Sequence, residues 1–214
     1  MQKKEVNSER INGLIKWFSE LSNKDIAIAG GKGASLAEMY NNKFPIPPGF
    51  IVTAQAYKYF IEKTGLDKRI TEVLKDLDVN DTNALNSASK KIREIIEKEE
   101  MPKELEEEIK EAYEFLDADK AKLEGAREGA LGILKTGHEP PFVAVRSSAT
   151  TEDLAEASFA GQQDTFLNVK GNKELLKSVK DCFSSLFTAR AIYYRQKKGF
   201  EHDKAYLAVV VQIM

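Results

Sequence analysis

Cysteine is almost missing from this sequence: Cys182 is the single one in 214 residues. A lone thiol excludes an internal disulfide. Together with the lack of a secretory leader and of any apolar run near ~18 residues, it points to the cytosol and away from a membrane. Histidine is nearly as scarce. His138 and His202 each sit in polar surroundings with no second ligand at metal spacing, which argues against a histidine-built metal centre. Net charge is also small, −2 from 32 basic and 34 acidic side chains. No global field therefore draws in nucleic acid or an anionic bilayer.

What is present describes an ordinary folded chain. Hydrophobic residues make up 42% and charged residues 31%, and the length suffices for one large domain or two small ones. Residues 9–21 predict a helix, because Ile11, Leu14, Ile15, Phe18 and Leu21 recur at three- and four-residue steps behind Ser8. Asp25 to Ala29 reads as a short strand. Gly30-Gly31-Lys32-Gly33 follows, then a helical pattern through Leu36, Met39 and Tyr40. Three glycines let the backbone bend without a Cβ penalty, and Lys32 falls at the mouth of the next helix, where ammonium and helix dipole both favour phosphate. It is not a Walker loop, since Ile26 stands where that motif needs glycine and Gly33 where it needs Ser or Thr. Nor is it a dinucleotide fingerprint, since Leu36 replaces the third glycine. Taken alone, the motif fits a flexible turn with a solvated lysine equally well.

Phe44 to Gly49 forms a stiff, proline-rich connector into a strand, Phe50 to Thr53. From 54 to about 135 the pattern is mostly helical: one helix over Ala54–Glu62, one after Asp81 and one after Pro102. Lys98-Glu99-Glu100 and Glu106-Glu107-Glu108 read as solvated faces. A helix capped by Asn172 runs to about Leu186, with Cys182 on it as buried filler. Another covers about Thr188 to Lys197, and there Arg190 and Arg195 are within reach of a ligand but read by default as surface salt-bridging residues. Tyr206 to Ile213 is a nearly continuous apolar run, suited to a strand buried on both faces.

The most informative stretch is VAVRSSATTEDLAEASFAGQQDTFL, Val143 to Leu167. An apolar strand ends in Arg146, and five small residues follow at once, Ser147 to Thr151. Small hydroxyl residues let backbone amides approach an anion closely. Thr150 and Asp153 have capping-box spacing, which opens a short helix near Glu152. Gln163 to Leu167 reads as a second strand, on which Gly161, Gln163 and Thr165 share one parity. A guanidinium, hydroxyls and an amide thus gather on one face. Arg146 in an ion pair with Glu152 or Asp153 is the alternative reading, as is Thr165 as strand filler.

GGKGASL followed by PIPPGFIVT, and then VAVRSSATTEDLAEASFAGQQDTFLNV, closely resemble the N-terminal nucleotide-binding domain of the phosphoenolpyruvate synthase and pyruvate phosphate dikinase family. The synthase branch is the nearer of the two. The likeness runs from about residue 10 to the end and is loose over 60–140. It implies an α+β fold, the N-terminal part of an ATP-grasp with a mixed or antiparallel sheet and a helical insertion. Residues 1–214 would form one incomplete ATP-binding domain, with 60–140 as a mostly helical subregion. It also implies that Lys32 and Arg146 contact the phosphates of ATP, that Gly161 and Thr165 close over the triphosphate with Gln163 beside them, and that Mg²⁺ bridges the phosphate oxygens.

The implied reaction converts ATP, pyruvate and water to AMP, phosphate and phosphoenolpyruvate through a phosphohistidine. No matching Thr-Ser-His motif occurs here. C-terminal domains of the same polypeptide are therefore expected as partners, and this chain alone is expected to show no turnover and only weak ATP binding. An antibiotic phosphotransferase of the rifamycin type, or a non-catalytic nucleotide-binding module, would share the same motifs.

Overall fold

A computed structural model describes residues 13–123, 140–150 and 164–214. Its organising element is β5 (Leu207–Ile213). Every residue in it but Gln212 is apolar, and all but the last are buried, as expected for a strand covered on both faces. Around it lie β1 (Ile15–Trp17), β2 (Gly49–Val52), β3 (Val143–Ala149) and β4 (Thr165–Val169). The strand order is β1-β2-β5-β3-β4, and every pairing is antiparallel. The described chain is thus an α+β structure on an antiparallel sheet. The β3–β4 register slips between Val143 and Val145. The extra residue falls on β4, where Asn168 takes up a left-handed φ of 58°, a conformation that bulges use.

The two faces of the sheet are covered unequally. On one, α1 (Ile26–Asn41) is the only α-helix among the described residues. Its small residues Ala29, Gly33, Ala34 and Ala37 let it settle close, and Ala29, Ala34 and Ala37 form a compact core with Phe18, Leu21, Ile51, Ala208 and Val210. A Cβ on Gly33 would meet Ile51 Cδ1 at 3.0 Å. The other face carries α2 (Ala54–Lys63), α3 (Leu66–Leu74), α4 (Thr82–Lys98), α5 (Lys103–Leu123), α6 (Asn172–Ser185) and α7 (Ala189–Lys198). Their apolar stripes join Phe50, Val52, Val145, Leu207, Val209 and Val211 in one larger core. Phe183 of α6 stacks on Phe60 at 5.6 Å and meets Tyr57 edge-on at 5.3 Å. Thr53 caps α2 by accepting from the Ala56 amide, and Asp81 caps α4 at Asn83 and Ala84.

Several expectations are corrected. Within residues 9–21, the described part is β1 and a 3-10 turn, Phe18–Glu20. Leu14 joins the larger core and Phe18 and Leu21 the smaller one, on opposite faces of the sheet. Their helical spacing is therefore a coincidence of burial, not a stripe. Asp25–Ala29 is not a strand. Ile26 opens α1, with the Ile28 and Ala29 amides bonded to the Asp25 carbonyl.

β3 does not stop at Arg146 but continues through Ala149, with Ser147 and Ser148 buried in the sheet. The second strand of the motif is shifted to Thr165–Val169. The N-cap of α6 is Gly171, not Asn172. Arg195 is no surface residue. It is 1% exposed, donates from Nη2 to the Leu186 carbonyl at 2.6 Å and from Nε to His202 Nδ1 at 3.0 Å, and lies over the Phe187 ring. The expected helix near Glu152 lies outside the described residues.

Candidate nucleotide site

α1 is broken once, at Gly30, whose backbone (φ 67°, ψ 170°) is not helical. That region is open almost only to glycine. A Cβ there would also lie 2.3 Å from both the carbonyl oxygen and Oγ of Ser148. The sequence places glycine where the helix must restart against β3. The restarted helix begins at Gly31 and Lys32, so its first amides and positive dipole end stand beside β3.

Lys32 and Arg146 line one cleft of about 370 Å³, together with Gly31, Ser35, Leu36, Met39 and Val210. Lys32, Ser35, Leu36 and Met39 are successive positions on one face of α1. Part of the helical pattern through Leu36 and Met39 is therefore a cleft wall, and Met39 is 36% exposed. From the sheet, Ile51, Val210, Arg146 and Thr165 stand side by side in one cross-strand row. Residues paired across antiparallel strands point to the same face. Thr165 is therefore next to Arg146 on the α1 side, and it is exposed. Ser148, two residues along β3 from Arg146, shares that face. Ser147 points the other way and donates to the Asp164 carbonyl at 3.1 Å.

The electrostatics favour an anion. Two cationic side chains meet in the cleft, and no carboxylate is among its described lining residues. Arg146 Nε is buried and has no hydrogen-bond partner among the described residues. A buried donor left in that state is costly unless something external satisfies it. Of the five residues expected to bind, Lys32 and Arg146 share the cleft and Thr165 adjoins it, while Gly161 and Gln163 lie outside the described residues, as do Glu152 and Asp153.

Among the described residues no three His, Cys, Asp or Glu side chains cluster as a metal site, and no helix is long and apolar enough to cross a membrane. Val210 escapes a reading of the sequence, where it is plain core; Ser148 is singled out there only as one of five small residues after Arg146, not as a strand residue beside it. A signal for Ser148 exists in its i+2 spacing from Arg146 on a strand.

The sequence matches the family described as "Pyruvate phosphate dikinase, AMP/ATP-binding domain" over residues 26–214. It is 56% identical over 198 residues to a probable phosphoenolpyruvate synthase of Methanocaldococcus jannaschii, covering 92% of this chain and 15% of that protein. It is 42% identical over 232 residues to the phosphoenolpyruvate synthase of Pyrococcus furiosus, covering 94% of this chain and 26% of that one. Against the phosphoenolpyruvate synthase of Helicobacter pylori the figures are 45% over 204 residues, 94% and 23%. The chain thus spans only 15% to 26% of these relatives' length. It belongs to the pyruvate phosphate dikinase AMP/ATP-binding domain family.

Proposed function

We propose that this chain is the N-terminal nucleotide-binding part of a phosphoenolpyruvate synthase. ATP is its substrate: one phosphoryl passes through a histidine carried elsewhere in the polypeptide to pyruvate and a second is released to water, giving phosphoenolpyruvate, AMP and phosphate. The observation that carries this reading is the single cleft lined by both Lys32 and Arg146. In phosphoryl transfer the protein's part is positioning and charge stabilisation. The Lys32 ammonium offsets phosphate charge at the start of the restarted helix. The Arg146 guanidinium offers a planar fork from the sheet, including the buried Nε with no partner among the described residues. Thr165 lies in the same row as Arg146, and Gly161 and Gln163 are proposed as further nucleotide contacts on the sequence motif alone.

Mg²⁺ would supply further positive charge to offset the phosphates and would take oxygen ligands; no cluster of three His, Cys, Asp or Glu among the described residues would hold it. The antiparallel α+β architecture with α1 laid over the site is read as the first part of an ATP-grasp fold, and residues 1–214 as one incomplete domain of it. The experiment is a titration of ATP with Mg²⁺ against the full-length protein. Lys32→Ala and Arg146→Ala are each expected to weaken binding by about ten- to a hundredfold, the loss of one charge-assisted contact. If neither change weakens binding, the assignment is wrong.

A further inference from the structure

A helix that restarts at Gly31 leaves its first amides without partners inside the helix. Usually the residue just before it supplies a side-chain oxygen to the third amide of the helix. Here that preceding residue is Gly30, which has no side chain. It also has no room for one, because Ser148 O and Oγ lie 2.3 Å from where a Cβ would be. The third amide, that of Gly33, nevertheless has a partner: it donates to Ser148 Oγ at 3.1 Å. Ser148 is 0% exposed.

We infer that Ser148 is a positioning residue for the nucleotide site, a helix cap delivered from the sheet. Its hydroxyl stands in for the side chain that Gly30 cannot carry and fixes the Lys32 loop against the strand that bears Arg146. The geometry explains three things together. It accounts for a serine in a buried strand, for a glycine at the break, and for the pinning of two distant cations at one spacing. Ser148 touches no phosphate in this role. It acts through the Gly31–Gly33 backbone, and so holds the loop in its binding shape before ligand arrives. The inference rests on the ATP reading of the cleft.

The test compares Ser148→Ala with the parent full-length protein and with Ser89→Ala. Ser89 is a buried serine beyond the opposite face of the sheet, and its hydroxyl donates to the Phe187 carbonyl at 2.7 Å. Amide hydrogen exchange at Gly33, without nucleotide, is expected to be protected in the parent and in Ser89→Ala, and to quicken in Ser148→Ala. ATP affinity is expected to fall about fivefold in Ser148→Ala, matching one cap of about 1 kcal/mol, and to stay unchanged in Ser89→Ala, although both lose a buried hydrogen bond.

Equal exchange at Gly33 in parent and Ser148→Ala would overturn the inference. So would unchanged ATP affinity in folded Ser148→Ala, or an equal loss in both variants. If the parent itself binds no ATP, the ATP reading fails instead, and the Gly33 exchange result still decides whether Ser148 is the cap.

Discussion

Arg146 stands beside Val210 in the β3–β5 ladder and beside Thr165 in the β3–β4 ladder, and it shares its cleft with Lys32. A guanidinium in the middle of a sheet, with a buried Nε unpaired among the described residues, does little for folding. Residues held for binding often cost stability in just this way. Arg146→Met is therefore expected to leave the ligand-free thermal midpoint unchanged or higher while ATP affinity collapses. Arg146→Lys keeps the charge but loses the fork, and about tenfold in affinity should go with it. Calorimetric titration and thermal unfolding of the same samples check both halves. A midpoint that drops in Arg146→Met would make the arginine structural.

Gly30 is required twice over, by its φ of 67° and by the Ser148 oxygens at 2.3 Å from a virtual Cβ. Gly30→Ala is expected to destabilise by about 3 kcal/mol or more, since backbone strain and a clash with buried main chain add. Gly199 offers the comparison. It has a similar φ of 71° at the end of α7, with nothing within 4 Å of a Cβ, so Gly199→Ala should cost only about 1 kcal/mol. Urea unfolding of the two variants measures the difference. Equal losses would mean that the contact with Ser148 contributes nothing.

That Lys32 and Arg146 share a cleft is legible only from the two motifs together, since glycine and lysine at a helix start fit a flexible turn equally well until paired with an arginine before a run of small residues. The middle of β5, Val209 to Val211, is legible because uninterrupted β-branched residues have few other uses. The stretch from Leu14 to Leu21 is not. Its apolar residues serve two cores on opposite faces of the sheet, and only the tertiary fold separates them. Asp25 to Ala29 alternates like a strand, yet Ile26 and Ile28 pack from a helical turn against the smaller core. Arg195 misleads because charge at helical spacing normally means solvent. Its burial depends on the Leu186 carbonyl and His202, which come from other segments.

Cys182 is fully buried on α6, and burial pushes its thiol well above the ordinary range, with the carboxylates of Asp164 and Asp181 adding to the effect. A thiol in that state is inert, because the thiolate is the nucleophile. The native protein should react with a thiol reagent such as DTNB at least about a hundredfold more slowly than the urea-unfolded chain, with opening of the fold limiting the rate. Stoichiometric labelling of the native protein within seconds would contradict the burial. Cys182→Ala should cost about 1–2 kcal/mol from the small cavity it leaves.

His202 gives the fold a dependence on pH. Its Nδ1 accepts from Arg195 Nε at 3.0 Å, and Nε2 faces Gln196 Oε1 at 3.2 Å. Since Arg195 can only donate, His202 is the neutral tautomer with hydrogen on Nε2. Desolvation, and after it the Arg195 charge, lower its pKa from 6.5 to about 4. As pH falls through 6.5 the unfolded chain therefore takes up a proton that the folded chain refuses. Stability is full above about pH 6.5 and erodes toward pH 4. Because the ring is partly solvent-exposed, screening reduces the effect to about 1 kcal/mol between pH 7 and 5. His202→Asn keeps an acceptor for Arg195 but cannot titrate. Urea midpoints at pH 7 and 5 should separate further in the parent than in His202→Asn, with His138 present in both and cancelling. Equal separations would mean that the Arg195–His202 bond does not resist protonation.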